Sequence, residues 1–114
     1  MSYVARATPW GSIQVGEMFQ WLTPDEQIGV LAHETGHIEH DHAFKRLLWV
    51  ISLRAVFQPE KYFKMCEEQE YEADAFAKSE GCAEGLASFL HRCSHGKALG
   101  YPRIHDRIKR LQNG

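Results

Sequence analysis

The chain has no C-x-x-C pair, no apolar run long enough to cross a bilayer and no excess of basic charge, and each absence removes a class of function. Its three cysteines, Cys66, Cys82 and Cys93, leave one thiol over in any disulfide scheme. A reducing compartment is expected, with the thiols buried as small hydrophobes. Thirteen basic and fifteen acidic residues are spread along the chain for a formal net charge of −2, which supplies no basic stripe and argues against nucleic acid as a partner. The longest apolar stretch, LLWVISLRAVF from Leu47 to Phe57, is broken by Arg54 and is too short for a membrane span. The opening MSYVARATPWGS carries no apolar core of signal-peptide length, so a cytoplasmic protein is expected. Repeats, low-complexity tracts and linkers are also missing. The 114 residues, 44% of them hydrophobic, suffice for one globular domain over 1–114 with a single modest core.

Local signals divide the chain into short elements. Tyr3–Ala7 and Ser12–Val15 contain β-branched and aromatic residues and flank TPWG, whose Pro and Gly suit a turn, so a small β-hairpin is expected. Thr23-Pro24-Asp25-Glu26 reads as a helix start: Thr23 caps, Pro24 takes the first helical position, and Glu26 reaches back to complete a capping box. Ile28, Leu31 and Ala32, with Val30 beside them, are expected to form the buried stripe of that helix. A second helix is expected near Leu47–Phe57 and is stopped by Gln58-Pro59. A third covers roughly Glu60–Ser79 and ends at Gly81, and a fourth covers Ala83–Cys93. SHGKALGYP reads as a loop, and RIHDRIKRLQ as a short closing helix with Ile104, Ile108 and Leu111 on one side.

The chemistry concentrates in LAHETGHIEHDH, which places four of the seven histidines within ten positions. His33-Glu34-Thr35-Gly36-His37 is an H-E-x-x-H pattern. Residues four apart on a helix stand one above the other about 6 Å apart, so both imidazoles reach one ion. Glu34, rotated by roughly 100°, leaves that face but stays within reach of a water at the ion. Composition alone predicts about 0.04 such motifs in a chain like this one, so the pattern is suggestive and needs support.

Two histidines do not hold a catalytic zinc, which takes three protein ligands and keeps one position for water. The metzincin arrangement would need Gly at 40 and His at 43, but the chain has His40 and Ala43 there. Glu70 and Asp74, four apart in EYEAD, share a helix face. Glu70 can supply the third ligand while Asp74 accepts a hydrogen bond from a ligating imidazole. For His40, a solvated or outer role is favoured over ligation. His42, His91, His95 and His105 are expected at the surface. Cys66, one turn before Glu70, is favoured as a buried inert thiol over a competing ligand.

With these residues in view, the chain resembles the HtpX-like and CAAX-prenyl-protease-like zinc metallopeptidases of the gluzincin type. GSIQVGEMFQWLTPDEQIGVLAHETGH is similar to that family's edge strand, helix start and H-E-x-x-H helix, EYEADAFA to its third-ligand helix, and YPRIHDRIKRL to its closing segment. The length is similar to that of the soluble minigluzincins. The resemblance implies an α+β fold: a mostly helical, compact zincin-like domain with a small N-terminal β-hairpin. It implies a metalloendopeptidase acting on polypeptide, with one zinc per chain held by His33, His37 and Glu70, Glu34 as general base and Asp74 behind a ligand. Alternatives are a latent proenzyme and a zinc-binding interaction module without turnover. The family usually has His before the closing Pro, whereas this chain has Tyr101 before Pro102. Tyr101 is then either a packing aromatic or a hydroxyl donor to the developing oxyanion. Substrate backbone is expected to add as a strand beside Ser12–Val15.

Overall fold

Turn chemistry at the N-terminal end sets the first element. Thr8 N–H donates to Ser12 O at 2.8 Å, the two hydroxyls meet at 2.7 Å, and Gly11 adopts φ +85, a left-handed conformation that costs glycine little. This closes an antiparallel hairpin of β1 (Ala5–Ala7) and β2 (Ile13–Val15), with Arg6 opposite Gln14. The coordinates, a computed structural model, describe residues 4–93 and 101–113. Tyr3 and most of the expected loop, residues 94–100, lie outside the described residues.

A short 3-10 turn, Glu17–Trp21, leads into helix α1 (Pro24–Glu39). The capping box forms as expected, with Glu26 N–H donating to Thr23 Oγ1 at 3.3 Å and Thr23 N–H to Glu26 Oε1 at 3.0 Å. The buried stripe differs from the expected one. It consists of Glu26, Gly29, Val30, His33, Gly36 and His37, while Ile28 faces solvent and Leu31 and Ala32 are half-buried. The inward face is narrow because two neighbouring helices approach its glycines at backbone distance.

The expected helix at Leu47–Phe57 is two helices. α2 (His42–Ile51) starts five residues earlier, after a left-handed Asp41 (φ 53), and a left-handed Leu53 (φ 65) separates it from the single turn α3 (Arg54–Phe57). Pro59 then opens α4 (Pro59–Ser79), which ends where Gly81 takes φ +80 and Cys82 N–H returns to Ala77 O. α5 (Ala83–Cys93) and α6 (Ile104–Gln112) complete the chain.

The result is α+β and mostly helical, with α1 between α4 and α5 and with β1 laid along its outer side. The apolar core lies at the α5–α6 end, where Ala77, Leu86, Ala87, Leu90 and Leu111 are buried together and Ile104 and Ile108 pack against them. The α1–α4 contact, by contrast, buries His33, His37, Glu70 and Asp74 beside the close approach of Gly36 to Ala73.

Candidate metal centre

One turn of α1 and one turn of α4 converge. His33 and His37 are buried, with their Nε2 atoms 3.1 Å apart. Glu70 reaches both from α4, Oε1 standing 3.0 Å from His33 Nε2 and Oε2 standing 3.1 Å from His37 Nε2. Donor atoms each about 2.0–2.1 Å from one tetrahedral zinc stand roughly 3.3 Å apart, so this set fits a zinc ion with little adjustment. Glu34 joins His33 and His37 in a group whose candidate ligand atoms lie within 4.8 Å of one another.

Gly36 makes the convergence possible. A Cβ built on it would meet Ala73 Cα at 2.9 Å, and Ala73 is the residue between Glu70 and Asp74 that presses on α1. Only a residue without a side chain lets α4 come close enough for Glu70 to touch both imidazoles.

Partners behind the front layer fix the rings. His33 Nδ1 lies 2.8 Å from Asp74 Oδ1, and Arg107 of α6 grips Asp74 with two bonds, Nε to Oδ2 and Nη2 to Oδ1, both 2.8 Å. His37 Nδ1 lies 2.8 Å from His42 Nδ1, and His42 Nε2 lies 3.3 Å from Glu72 Oε1. Burial, joined by the charges of His37, His40 and Arg46, lowers His42 to about 3, so His42 is neutral. A consistent proton order follows: His37 donates from Nδ1 to His42 Nδ1, the neutral His42 keeps its proton on Nε2, which makes no hydrogen bond, and the His37 Nε2 lone pair is free to ligate.

Carboxylates dominate the immediate surroundings of His33. Burial opposes a charge on His33, but Asp74 and Glu70 outweigh it and raise the imidazole to about 10. The same field favours a cation at Nε2. Burial likewise works to raise Glu70, yet bonds from His33 and His37 hold its carboxyl well below the usual range. Glu34 goes the other way. Desolvation raises it against the pull of His33 and His37, and its Oε1 accepts from Ala7 N–H at 2.9 Å.

The structure therefore brings together His33, Glu34, His37, Glu70 and Asp74. Tyr101, half-exposed, lines the same cleft of about 450 Å3 with Ala5–Ala7, and burial and Glu70 raise its hydroxyl. His40 stays outside, half-buried, with Nδ1 2.9 Å from Gly36 O. His91 and His105 are exposed, and His95 lies outside the described residues. Cys66 is buried and burial raises its thiol, which disfavours the thiolate a metal would need, whereas Cys93 is exposed, against the expectation of buried thiols.

Three features differ from the sequence reading. His42, expected at the surface, is 1% exposed and sits behind His37, because the left-handed turn at Asp41 swings α2 back toward α1. Arg107 and Arg46 went unassigned. Arg107 carried a signal, since it falls on the Ile104–Ile108–Leu111 side of α6, where a charge must find a buried partner. Arg46 donates to Gln69 Oε1 at 2.6 Å and to Glu70 Oε2 at 3.1 Å. Finally, the strand at the cleft is β1 rather than Ser12–Val15. Val4 and Thr8 bond toward β2, so by alternation the backbone groups of Ala5 and Ala7 face the cleft, as the bond from Ala7 to Glu34 demonstrates.

Residues 11–63 match Peptidase family M48. The match covers β2, α1 with its H-E-x-x-H, and the turn into α4, and it supports an M48 metallopeptidase. Glu70, Asp74, Tyr101 and Arg107 stand beyond the M48 match, and their assignment rests on geometry. No curated protein and no solved structure matches the chain.

Proposed function

We propose that this chain is a zinc-dependent metalloendopeptidase, a compact soluble gluzincin of the HtpX-like kind forming one catalytic domain over 1–114. The observation that carries the reading is the approach of the Glu70 carboxylate to both Nε2 atoms at 3.0–3.1 Å, with Glu34 alongside. His33, His37 and Glu70 would hold one zinc per chain, which when bound supplies a Lewis acid for the scissile carbonyl and lowers the pKa of water.

The protein's own groups do the rest. Glu34 takes the proton of the attacking water and delivers it to the leaving nitrogen, and its raised proton affinity suits both directions of transfer. The N–H of Ala7 holds one Glu34 oxygen, leaving the other for the proton. Asp74 and His42 keep the two imidazoles turned with Nε2 toward the cleft, and Arg107 fixes Asp74. Tyr101 would donate its hydroxyl to the oxyanion. A substrate segment adds as a strand along β1, where main-chain bonds give affinity without demanding particular side chains, so selectivity is weak.

No helix among the described residues is long and apolar enough to cross a membrane. Three free cysteines agree with a cytoplasmic setting. The M48 match supports polypeptide as the substrate.

The test is hydrolysis of a denatured protein by the zinc-supplemented chain against its Glu34→Gln variant. Cleavage by the parent and none by the variant, with equal zinc content, is expected. Zinc binding without cleavage by either would identify a non-catalytic zinc module.

A further inference from the structure

Arg46 of α2 has more donors than its contacts inside the fold use. Nε donates to Gln69 Oε1 at 2.6 Å, and Nη2 donates to Glu70 Oε2 at 3.1 Å and to Cys66 O at 3.5 Å. The remaining guanidinium nitrogen, Nη1, meets no acceptor among the described residues. The side chain keeps 25% exposure and lines the cleft that holds His33, Glu34 and His37.

Neutralising Glu70 does not account for this arrangement. A cation on one oxygen of a zinc ligand repels the ion, so a neutral donor there would serve the centre better. Gln69 adds a second cost: it is 3% exposed, its Nε2 is buried without a partner, and its Oε1 is given to Arg46. A buried amide satisfied at one end only is expensive, and what its remaining bond secures is the plane of the guanidinium. With Nε held by Gln69 and Nη2 by Glu70, Nη1 is pre-organised for an acceptor from outside the fold.

Charge identifies that acceptor. Arg6, Arg46 and Arg107 line the cleft against two lining carboxylates, Glu34 and Glu70, and Asp74 offsets Arg107 from behind. A divalent zinc on His33, His37 and Glu70 leaves this cleft with an excess of positive charge, which favours a carboxylate over a neutral carbonyl at Nη1. Its place along the substrate is also bounded. Glu70 Oε2 stands 3.1 Å from both Arg46 Nη2 and His37 Nε2, so one carboxylate separates the guanidinium from the centre. At about 3.3 Å per extended residue, a group on Nη1 belongs to a substrate residue within about two positions of the bond held there.

Resting on the peptidase reading, we infer that Arg46 is a specificity-determining residue that binds an acidic side chain of the polypeptide beside the scissile bond, and that Gln69 is the positioning residue that aims it. Strand addition along β1 is indifferent to side chains, so this contact supplies a preference that pairing does not.

Calorimetric titration of the zinc-loaded Glu34→Gln chain tests it without turnover. The probes are N-acetylated, C-amidated nonapeptides of alanine and serine with Glu, Gln or Lys at the centre, and the Gln peptide with a free C-terminus. The Glu peptide should bind about tenfold more tightly than the capped Gln peptide, the Lys peptide should bind more weakly than either, and salt should narrow the differences. In the same background Arg46→Gln should bring the Glu-to-Gln ratio to about one, and Arg46→Lys, which keeps the charge without the fork, should retain part of it. Gln69→Leu leaves Arg46 charged but unaimed and should cut the ratio to about threefold, a change that lost stability alone does not produce. Equal affinity for the Glu and Gln peptides, no peptide binding, a preference that survives Arg46→Gln, or a preference for the free C-terminus alone overturns the inference. A parent chain that binds the Glu peptide selectively yet cleaves no protein refutes the peptidase reading and upholds the acidic contact at Arg46.

Discussion

Gly36→Ala should separate metal affinity from stability, because the space at Gly36 is what sets the distance between the two helices of the site. Its added Cβ would sit 2.9 Å from Ala73 Cα, 3.0 Å from Ala73 O and 3.0 Å from Phe76 Cβ. Relaxed carbon contacts stand at about 3.5–4.0 Å, so α4 has to retreat by roughly 0.6–1.1 Å. Glu70 and Asp74 flank Ala73 on the same rigid helix and move with it. Metal sites hold their distances within about ±0.2 Å, so a retreat of this size takes Glu70 out of reach. Zinc affinity should fall by at least the roughly 10–100-fold typical of losing one supporting contact, while overpacking costs about 1–3 kcal/mol of stability. Gly29→Ala is the control. Its Cβ would meet Leu86 N at 2.4 Å, a tighter clash, but against α5, which carries none of the candidate ligands. Zinc competition titration per folded molecule, paired with thermal unfolding in chelator, reads both quantities. Gly29→Ala should lose more stability and keep its zinc affinity; Gly36→Ala should do the reverse. Parent-like zinc affinity in Gly36→Ala would refute the idea that backbone contact positions Glu70.

Asp74→Asn should cost roughly 10–100-fold in zinc affinity or activity, and Arg107→Ala about 3–5 kcal/mol of stability by stranding the buried Asp74 charge, measured by metal titration and denaturant unfolding. His42→Phe keeps an aromatic of similar size but removes the acceptor of His37 Nδ1, so zinc should bind roughly 10–100-fold more weakly, whereas His40→Ala should bind as the parent does. Glu26 has its carboxyl lowered from 4.5 to about 2, first by the bond from Arg92, so its contribution is full above pH 4.5 and lost as pH falls toward 2. Glu26→Gln should flatten that part of the acid-unfolding profile. Tyr101→Phe should reduce turnover about 10²–10³-fold with zinc content unchanged if the hydroxyl stabilises the oxyanion, and lose only thermal stability if the ring merely packs.

Elements with local signals were legible in the sequence. The Thr23 capping box, Pro59 at the start of α4 and Gly81 after its end act within four residues, and each lies where the pattern put it. Features decided by helices meeting were not. Ile28 fits a hydrophobic stripe, but Gly29 and Gly36 turn the inward face toward themselves by admitting α5 and α4 at backbone distance. The break in the Leu47–Phe57 helix rests on a left-handed Leu53, a conformation that leucine does not advertise. Of the site, the spacings of His33, Glu34, His37, Glu70 and Asp74 were readable, because four residues on a helix is a fixed geometry. The side chains behind them were not, because His42 and Arg46 reach the site only after the chain reverses at Asp41.

The division of the interior explains why the site and the stability of the fold should respond separately to mutation. Among the described residues, eight buried polar or charged ones stand beside nine buried apolar ones, and most of the polar set gathers where α1 meets α4. Buried charge of this density is tolerable only when paired, and the pairs are drawn from different elements: Glu26 with Ser88 and Arg92 of α5, Asp74 with Arg107 of α6, Glu70 with Arg46 of α2. The first pair therefore ties α5 to α1, and the other two tie α6 and α2 to α4 where it meets α1. Apolar burial is left to Leu86, Leu90 and Leu111 at the α5–α6 end, on the far side of Ala77. A substitution there should lower stability with the metal geometry intact, while one at the α1–α4 contact should loosen the centre first, since the ligating side chains there are held by the same buried charges that lose their partners.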